Sequence, residues 1–288
     1  MLLALAAGET EPHKRKDLTA RALAAWRPRD GKLAKASAHY ERGMACVDLH
    51  RLDEAIAEFS AAVALDPGLM AGFYNRGVAQ FTLGRWRKAA ADFDAAVRLA
   101  PRDSHAHAMR GAARSAMGDS KKAMQDFNAA IALDPQNPYA YHNRGTAYLG
   151  SNDFEKAIAD YKTEITLSPR PAPGYEALGY AFLEAGRNRE AAEAFEKALA
   201  LAPQAPGACA GLAAAALRSG DMARATAAYA KAITLEPLFA QGPGRVMKDA
   251  VYWLGTKESA QASGKYDFSD KVAKDLEAVL RQLKKESK

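Results

Sequence analysis

The sequence lacks most of the features that point directly to a chemistry. It contains only two cysteines, and it has no nucleophile elbow, phosphate-binding loop or paired-cysteine motif. No apolar run is long enough to span a bilayer. The net charge of +6 belongs to the chain ends, because residues 36–237 hold 22 basic and 23 acidic side chains. These absences predict a chain without a cofactor or an integral membrane segment, and without a basic groove for nucleic acid.

What the sequence does contain is a repeat of 34 residues. Proline recurs at this spacing, as do an alanine, an aromatic residue and a small residue at three other positions. A fixed period of this size is typical of an array of paired helices. The recurring residues are Pro67, Pro101, Pro135, Pro169, Pro203 and Pro237; Ala55, Ala89, Ala123, Ala157, Ala191 and Ala225; Phe59, Phe93, Phe127, Tyr161, Phe195 and Tyr229; and Gly43, Gly77, Gly111, Gly145, Gly179 and Ala213.

The pattern of Gly77, Ala89, Phe93, Ala96 and Pro101 resembles the tetratricopeptide repeat, and the resemblance covers six copies without insertion. It implies an all-α fold, a right-handed α-solenoid of six 34-residue helix-turn-helix repeats that binds other proteins and is not an enzyme. The physics of each copy agrees. Small residues let the two helices approach closely, and proline ends the second helix.

The two cysteines, Cys46 and Cys209, fall in the first helices of the first and sixth copies. That separation is too large for a disulfide within one monomer, so both are expected to be small core residues. They leave the redox compartment open.

The two ends of the chain depart from the repeat. Residues 1–16 are expected to form a flexible tail, whose apolar start (1–8) is either frayed or the remnant of a secretory signal. The compartment is therefore left open: cytoplasmic, or periplasmic or secreted if a signal ends there. Residues 17–35 are expected to form an N-terminal capping helix, residues 36–237 the repeats, and residues 238–288 C-terminal capping helices. The last helix has an apolar stripe that either caps the repeats or binds a partner or a membrane surface; it comprises Val272, Leu276, Val279, Leu280 and Leu283.

Arginine precedes the glycine in the first four copies, and an acid precedes the aromatic residue of the second helix. Copies five and six lose both together. Two interpretations are open. The arginines bind phosphates or acidic peptides, or each forms a structural ion pair with the acid on the opposite helix. The joint loss favours pairing, and the expected pairs are Arg42–Glu58, Arg76–Asp92, Arg110–Asp126 and Arg144–Asp160.

The resemblance implies that the first helices line a concave groove, and helical spacing places positions 2, 5, 9 and 12 of each copy on that side. Aromatic side chains there either anchor a peptide or pack between neighbouring copies, and two asparagines beside them are suited to a peptide backbone. We call the candidate binding residues the first-helix face: Tyr40, Met44, Tyr74, Asn75, Val78, Phe81, His105, Tyr139, His142, Asn143 and Tyr180.

Asn75 and Asn143 match one element of the family's carboxylate clamp, but the flanking lysines and arginine are absent. The expected partner is therefore a protein or peptide segment of uncharged or mixed character. The alternative is a homo-oligomer, in which the C-terminal helix inserts into a neighbour's groove. A remote third reading is an enzyme or ligand sensor that uses His105, His142 and Tyr139. A metal site has little support, because two histidines without a further ligand are a weak site.

Overall fold

The structure, a computed structural model, describes residues 31–236, together with residues 20, 275, 277–279, 281–283 and 285. Within residues 31–236 it consists of α-helices, with no strand, which confirms the predicted all-α class. In chain order the helices are α1 Lys32–Asp48, α2 Leu52–Leu65, α3 Met70–Thr82, α4 Trp86–Leu99, α5 Ser104–Ala116, α6 Ser120–Leu133, α7 Pro138–Gly150, α8 Phe154–Leu167, α9 Ala172–Glu184, α10 Asn188–Leu201, α11 Pro206–Arg218 and α12 Met222–Leu235.

Helix starts agree with the repeat except at the N-terminal end. The first helix was expected near residue 36, but α1 begins at Lys32, directly after Gly31. Residues 32–35 therefore belong to α1 and not to a separate capping helix. The expected tail 1–16, nearly all of the capping helix before residue 31, and most of 238–288 lie outside the described residues.

The chain divides within α5 into two compact units, Met1–Ala113 and Arg114–Lys288. In the first unit α1 packs on α2 and α3 packs on α4, and α2 contacts α3. In the second unit the pairs α7–α8, α9–α10 and α11–α12 pack together, and α8–α9 and α10–α11 join successive pairs. Each unit therefore repeats the same arrangement, a helix pair stacked on the next pair.

The closest approach inside a pair is between the glycine of the first helix and the aromatic ring of the second. A Cβ atom placed on Gly77 would lie 2.8 Å from Phe93, and one on Gly179 would lie 2.7 Å from Phe195. Both rings are completely buried. At Gly77 and Gly179 the ring therefore occupies the space that a side chain would need.

The turn between the two helices of a pair has its own constraint, which the repeat pattern did not reveal. One residue per turn has a positive φ, a conformation that glycine adopts without strain. In two copies the position is held by another residue type, His50 (φ 58°) and Asn152 (φ 62°). The glycines at the same position are Gly84, Gly118, Gly186 and Gly220.

Replacing Gly77 by alanine is expected to destabilise the protein. The added methyl group would collide with the buried Phe93 ring, and overpacking of this kind costs about 1–3 kcal/mol. Gly150→Ala is the matched control, because no atom lies within 4 Å of a Cβ at that position. Urea unfolding followed by circular dichroism should show a lower midpoint for Gly77→Ala only. Equal midpoints would contradict the role assigned to the glycine.

Candidate functional site

Arginines of the first helices are held by carboxylates of the second helices. The Arg76 guanidinium donates to both oxygens of Asp92, at 2.9 and 2.6 Å. Arg144 does the same with Asp160, at 2.8 Å for each bond. These bidentate pairs are the geometry in which arginine binds carboxylate most strongly. Two of the predicted pairs are confirmed by them.

The other two predicted pairs differ from each other. Arg42 lies 3.5 Å from Glu58, so this pair is also confirmed. Arg110 donates to Asp94 at 3.1 Å, whereas Asp126 accepts a bond of 2.8 Å from Arg114. The pairing of Arg110 with Asp126 therefore stays a prediction.

The guanidinium also has a second partner, which sequence reasoning missed. The Nη1 atom of Arg76 donates to Ser60 at 3.1 Å, and that of Arg144 donates to Asn128 at 2.8 Å. Both acceptors lie on the second helix of the preceding copy, as Asp94 does for Arg110. The arginine thus links its own pair to the pair before it. The sequence does contain a signal for this second partner, because Ser60, Asp94 and Asn128 recur at the repeat spacing and all accept hydrogen bonds. The signal is hard to recognise because the three residues are of different types.

Copy five shows what replaces this link. Leu178 and Ala194 occupy the places of the arginine and the acid, and both are buried. The residue that corresponds to Ser60 and Asn128 is Lys162, a donor in place of an acceptor. With Leu178 and Ala194 it lines a small cavity of about 170 Å³. All three partners of the link have therefore changed together.

In the first unit, the first-helix face is partly packed and partly exposed. Tyr40 packs on Phe59 with ring centres 5.7 Å apart, and its hydroxyl accepts a 3.0 Å bond from Asn75. The Asn75 amide nitrogen also donates to the Ala71 carbonyl, which leaves the Asn75 side-chain oxygen available as an acceptor. Met44 is exposed.

Three more residues of this face in the first unit join the packing. Tyr74 contacts Phe93 edge-on with centroids 5.8 Å apart. Phe81 contacts Trp86 in the same way at 4.8 Å. Val78 packs against the cluster around Phe93. These side chains are half-buried, so each presents only part of its surface to a ligand.

In the second unit, Tyr139 is the large side chain of the first-helix face that is exposed to solvent. It is 60% exposed, and it is the only aromatic among the exposed large hydrophobic residues that the structure describes. Asn143, at the position corresponding to Asn75, is half-buried. Tyr139 and Asn143 lie on the same helix, α7.

Tyr180 requires a correction. Its side chain is completely buried, and its hydroxyl donates to the Gly207 carbonyl at 2.9 Å. Its ring packs edge-on against Phe195 at 4.9 Å. Through this bond the tyrosine reaches the backbone of α11. Tyr180 therefore joins two first helices and offers no surface to a ligand.

The histidines do not form a metal centre in the part of the chain that the structure describes, where no group of three or more potential ligands occurs. His105 is exposed on α5. The His142 ring nitrogen Nδ1 lies 2.8 Å from a Glu164 oxygen, so His142 is positioned by a carboxylate of α8. In the described residues, no helix is long and apolar enough to cross a membrane.

Both cysteines are buried and unpaired, as expected for core residues. Burial is the main cause that raises the pKa of each thiol. A thiol with a raised pKa is a poor nucleophile at neutral pH. Neither cysteine is therefore a candidate reactive group.

Glu176 is the polar residue of the second unit that sequence reasoning did not single out. It occupies position 5 on α9, and its carboxylate lies against Gly207 so closely that a Cβ there would be 2.3 Å from Oε1. It has no hydrogen-bond or ion-pair partner among the described residues. Burial alone raises the pKa of the carboxyl from 4.5 to about 7. The residue is half-buried, and a charge that is partly removed from water is normally paired.

Family models of the tetratricopeptide repeat match residues 36–69, 71–103, 142–206 and 176–244, and a TPR repeat model matches residues 111–151. The chain belongs to the tetratricopeptide repeat family. Tetratricopeptide proteins bind protein partners, and the family is generally a non-enzymatic interaction scaffold. No curated protein matches the sequence.

Several solved structures share the tetratricopeptide fold. The Cut9–Hcn1 hetero-tetramer of the APC/C has a TM-score of 0.68 at 17% identity, over 79% of this chain and 44% of that one. A tetratricopeptide protein from Parabacteroides merdae has 0.64 at 16%, over 82% and 92%. The type IV pilus biogenesis factor PilW has 0.64 at 19%, over 70% and 94%. The chain spans less than half the length of the first. At these identities the likeness shows the fold alone.

Removing Arg144 or Asp160 singly is expected to destabilise the protein, because the remaining charge is left partly buried. The pair is about a fifth exposed at most, so we expect a loss of roughly 2 kcal/mol for Arg144→Leu or Asp160→Ala. The double variant reproduces the Leu178 and Ala194 of copy five, and it should recover most of that loss. Urea unfolding of the four proteins measures the coupling. Additive losses would contradict the pairing.

Glu176→Gln is expected to stabilise the protein in a pH-dependent way. Because the folded pKa is raised to about 7, the native state binds the proton more tightly, so the parent loses stability as pH rises from 4.5 to about 7. The gain from the variant should therefore be larger at pH 8 than at pH 5, by about 2 kcal/mol. The control is Glu193→Gln, an exposed carboxylate of α10. A gain that is the same at both pH values would contradict the buried charge.

Proposed function

We propose that this chain is a non-enzymatic scaffold that binds an extended peptide on the first-helix face. The observation that carries the proposal is that the charged and the apolar side chains of the first helices differ in what they contact. The arginines of the first helices are engaged with carboxylates of the second helices, whereas apolar groups stay open on the first-helix face. The open groups include Met44 in the first unit and Tyr139 in the second.

Hydrogen-bonding capacity beside these groups supports a peptide as ligand. An extended peptide presents backbone N–H and C=O groups at regular intervals, and these need partners when they are bound. Asn75 is oriented by two bonds through its amide nitrogen, to Tyr40 and Ala71. Its side-chain oxygen can accept from a peptide N–H. An oriented acceptor costs less entropy on binding than a mobile one.

The assembly alternative, in which the C-terminal helix inserts into a neighbour, is less well supported. Val279 is completely buried in the core cluster of its own chain, and Leu283 packs against that cluster. Arg218 also donates to Asp275 at 2.6 Å. The described part of the stripe is therefore engaged within the chain; Val272, Leu276 and Leu280 lie outside the described residues.

We expect peptides selected from a random 12-residue phage-display library to bind through the exposed residues of the first-helix face. Tyr139→Ala or Met44→Ala should weaken the peptides that bind the corresponding unit by about tenfold, the effect of losing a moderate anchor. The measurement is fluorescence anisotropy with labelled synthetic copies of the selected peptides. Because both side chains are exposed, the variants should unfold at the parent temperature.

The controls are Leu99→Ala and Leu201→Ala, which truncate exposed leucines at the ends of second helices. These variants should bind the peptides as the parent does. Selected peptides that bind all four variants with parental affinity would place the binding surface elsewhere. A library that yields no specific binder would count against a peptide ligand altogether.

A further inference from the structure

We propose that Glu176 pairs with a basic side chain, lysine or arginine, of the peptide that binds the second unit. The inference rests on the proposed function and names the chemistry of the partner. Its starting point is the place of Glu176 at position 5 of α9, on the same side of the helix as the first-helix face, with α7 packed on one side of α9 and α11 on the other.

The fold around Glu176 makes room for a carboxylate but supplies nothing to neutralise it. Gly207 of α11 has no Cβ, and only that absence allows the Oε1 atom to occupy its position. Two further positions of α11 on the same face are also small, Ala210 and Ala214. Small residues keep the surroundings apolar and leave the carboxylate without a donor. The feature that a ligand would recognise is therefore the single negative charge of Glu176 beside the small residues of α11.

Three other acids of the second unit are already engaged. Asp160 is bound by Arg144 and Glu164 by His142. Glu190 is bound by Arg187. Glu176 differs from them in having no partner within the described residues. A charge that is partly removed from water and unpaired destabilises the free protein, so a cation brought by a ligand would relieve that cost.

Charge complementarity therefore selects the occupant. A carboxylate in apolar surroundings attracts a cation more strongly than a carboxylate in water does, because the Coulomb energy rises as the effective dielectric constant falls. Lysine and arginine are the cationic side chains a peptide offers throughout the neutral pH range. An acidic segment would meet a like charge. This agrees with the absence of the cationic clamp that other tetratricopeptide proteins use for acidic termini.

Ionisation of Glu176 couples the binding to pH. Burial places its pKa near 7 in the free protein, and only the ionised form attracts the cation. The ionisable groups that interact with it are Tyr180 of its own helix and Cys209 of α11, whose pKa values are raised by burial; both stay neutral near pH 7. On α7, His142 is occupied by Glu164. Affinity for a basic peptide should therefore rise as pH increases through 7.

The experiment uses the random 12-residue phage-display library on the full chain at pH 8, with the parent and with Glu176→Gln. The parent should enrich peptides that contain lysine or arginine at one fixed position, and the variant should not. Replacing that residue by uncharged citrulline or norleucine should weaken binding to the parent about tenfold or more and change binding to the variant little. Glu193→Gln is the control and should select as the parent does.

The pH dependence supplies a second, independent readout. Between pH 6 and pH 8 the affinity of the parent for the basic peptide should rise about tenfold, as the ionised fraction of a group with pKa 7 does. The citrulline analogue and Glu176→Gln should both show a flat profile. A steep profile that survives Glu176→Gln would assign the titration to another group, such as His142, and would overturn the inference.

The failure of this inference is distinguishable from the failure of the proposed function. Peptides that lose affinity with Tyr139→Ala but bind Glu176→Gln equally well, with or without a basic residue, would overturn the role of Glu176 alone. Peptides insensitive to both Tyr139→Ala and Met44→Ala, or the absence of any specific peptide, would overturn both proposals.

Discussion

The contact between a glycine and an aromatic ring is the constraint on which the rest of this structure depends. Phe93 fills the space beside Gly77, and Phe195 the space beside Gly179. With the ring in place the two helices of a pair lie at one separation and one rotation, and that rotation decides which side chains face the second helix and which face away. The arginine next to the glycine is thereby turned toward a carboxylate. Tyr139, five residues before Arg144 on the same helix, remains exposed. Scaffold and candidate binding surface are thus set by the same contact.

The arginine network shows how interactions that look like recognition can be structural. A row of guanidinium groups at a fixed spacing would suit phosphates or acidic peptides, yet Arg76 and Arg144 each make two bonds to an acid of their own pair and one bond to the preceding pair. Their bonding capacity is largely used inside the protein. In copy five Leu178 and Ala194 instead belong to the buried apolar core, so apolar packing can take the place of the ion pair. Interchange of a buried ion pair and an apolar contact is expected when desolvation offsets the Coulomb gain.

Much of this fold could be predicted from the sequence because the two helices of each copy pack through residues that recur at the same positions. The glycine, the aromatic residue and the proline carry the period, and the joint loss of arginine and acid indicated their pairing. The second partner of the guanidinium was missed because Ser60, Asp94 and Asn128 share only the ability to accept a hydrogen bond. The turn conformation was missed because His50 and Asn152 interrupt the glycines. The burial of Tyr180 involves a contact with the next copy, where the Gly207 carbonyl accepts its hydroxyl, and no rule internal to its own copy includes that contact.

The candidate binding surface was harder to predict, since it consists of positions at which the residue type changes from copy to copy. A residue on the first-helix face is available only if the neighbouring first helix does not cover it, and this depends on the size of the residue opposite. Tyr139 stays open and Tyr180 does not, although both are tyrosines on the same face of neighbouring first helices. Glu176 follows the same logic: the small residues of α11 admit its carboxylate but give it no donor. A scaffold that leaves a charge unsatisfied in the free protein gains differential affinity for a ligand that satisfies it, because the cost is present before binding and is removed by binding.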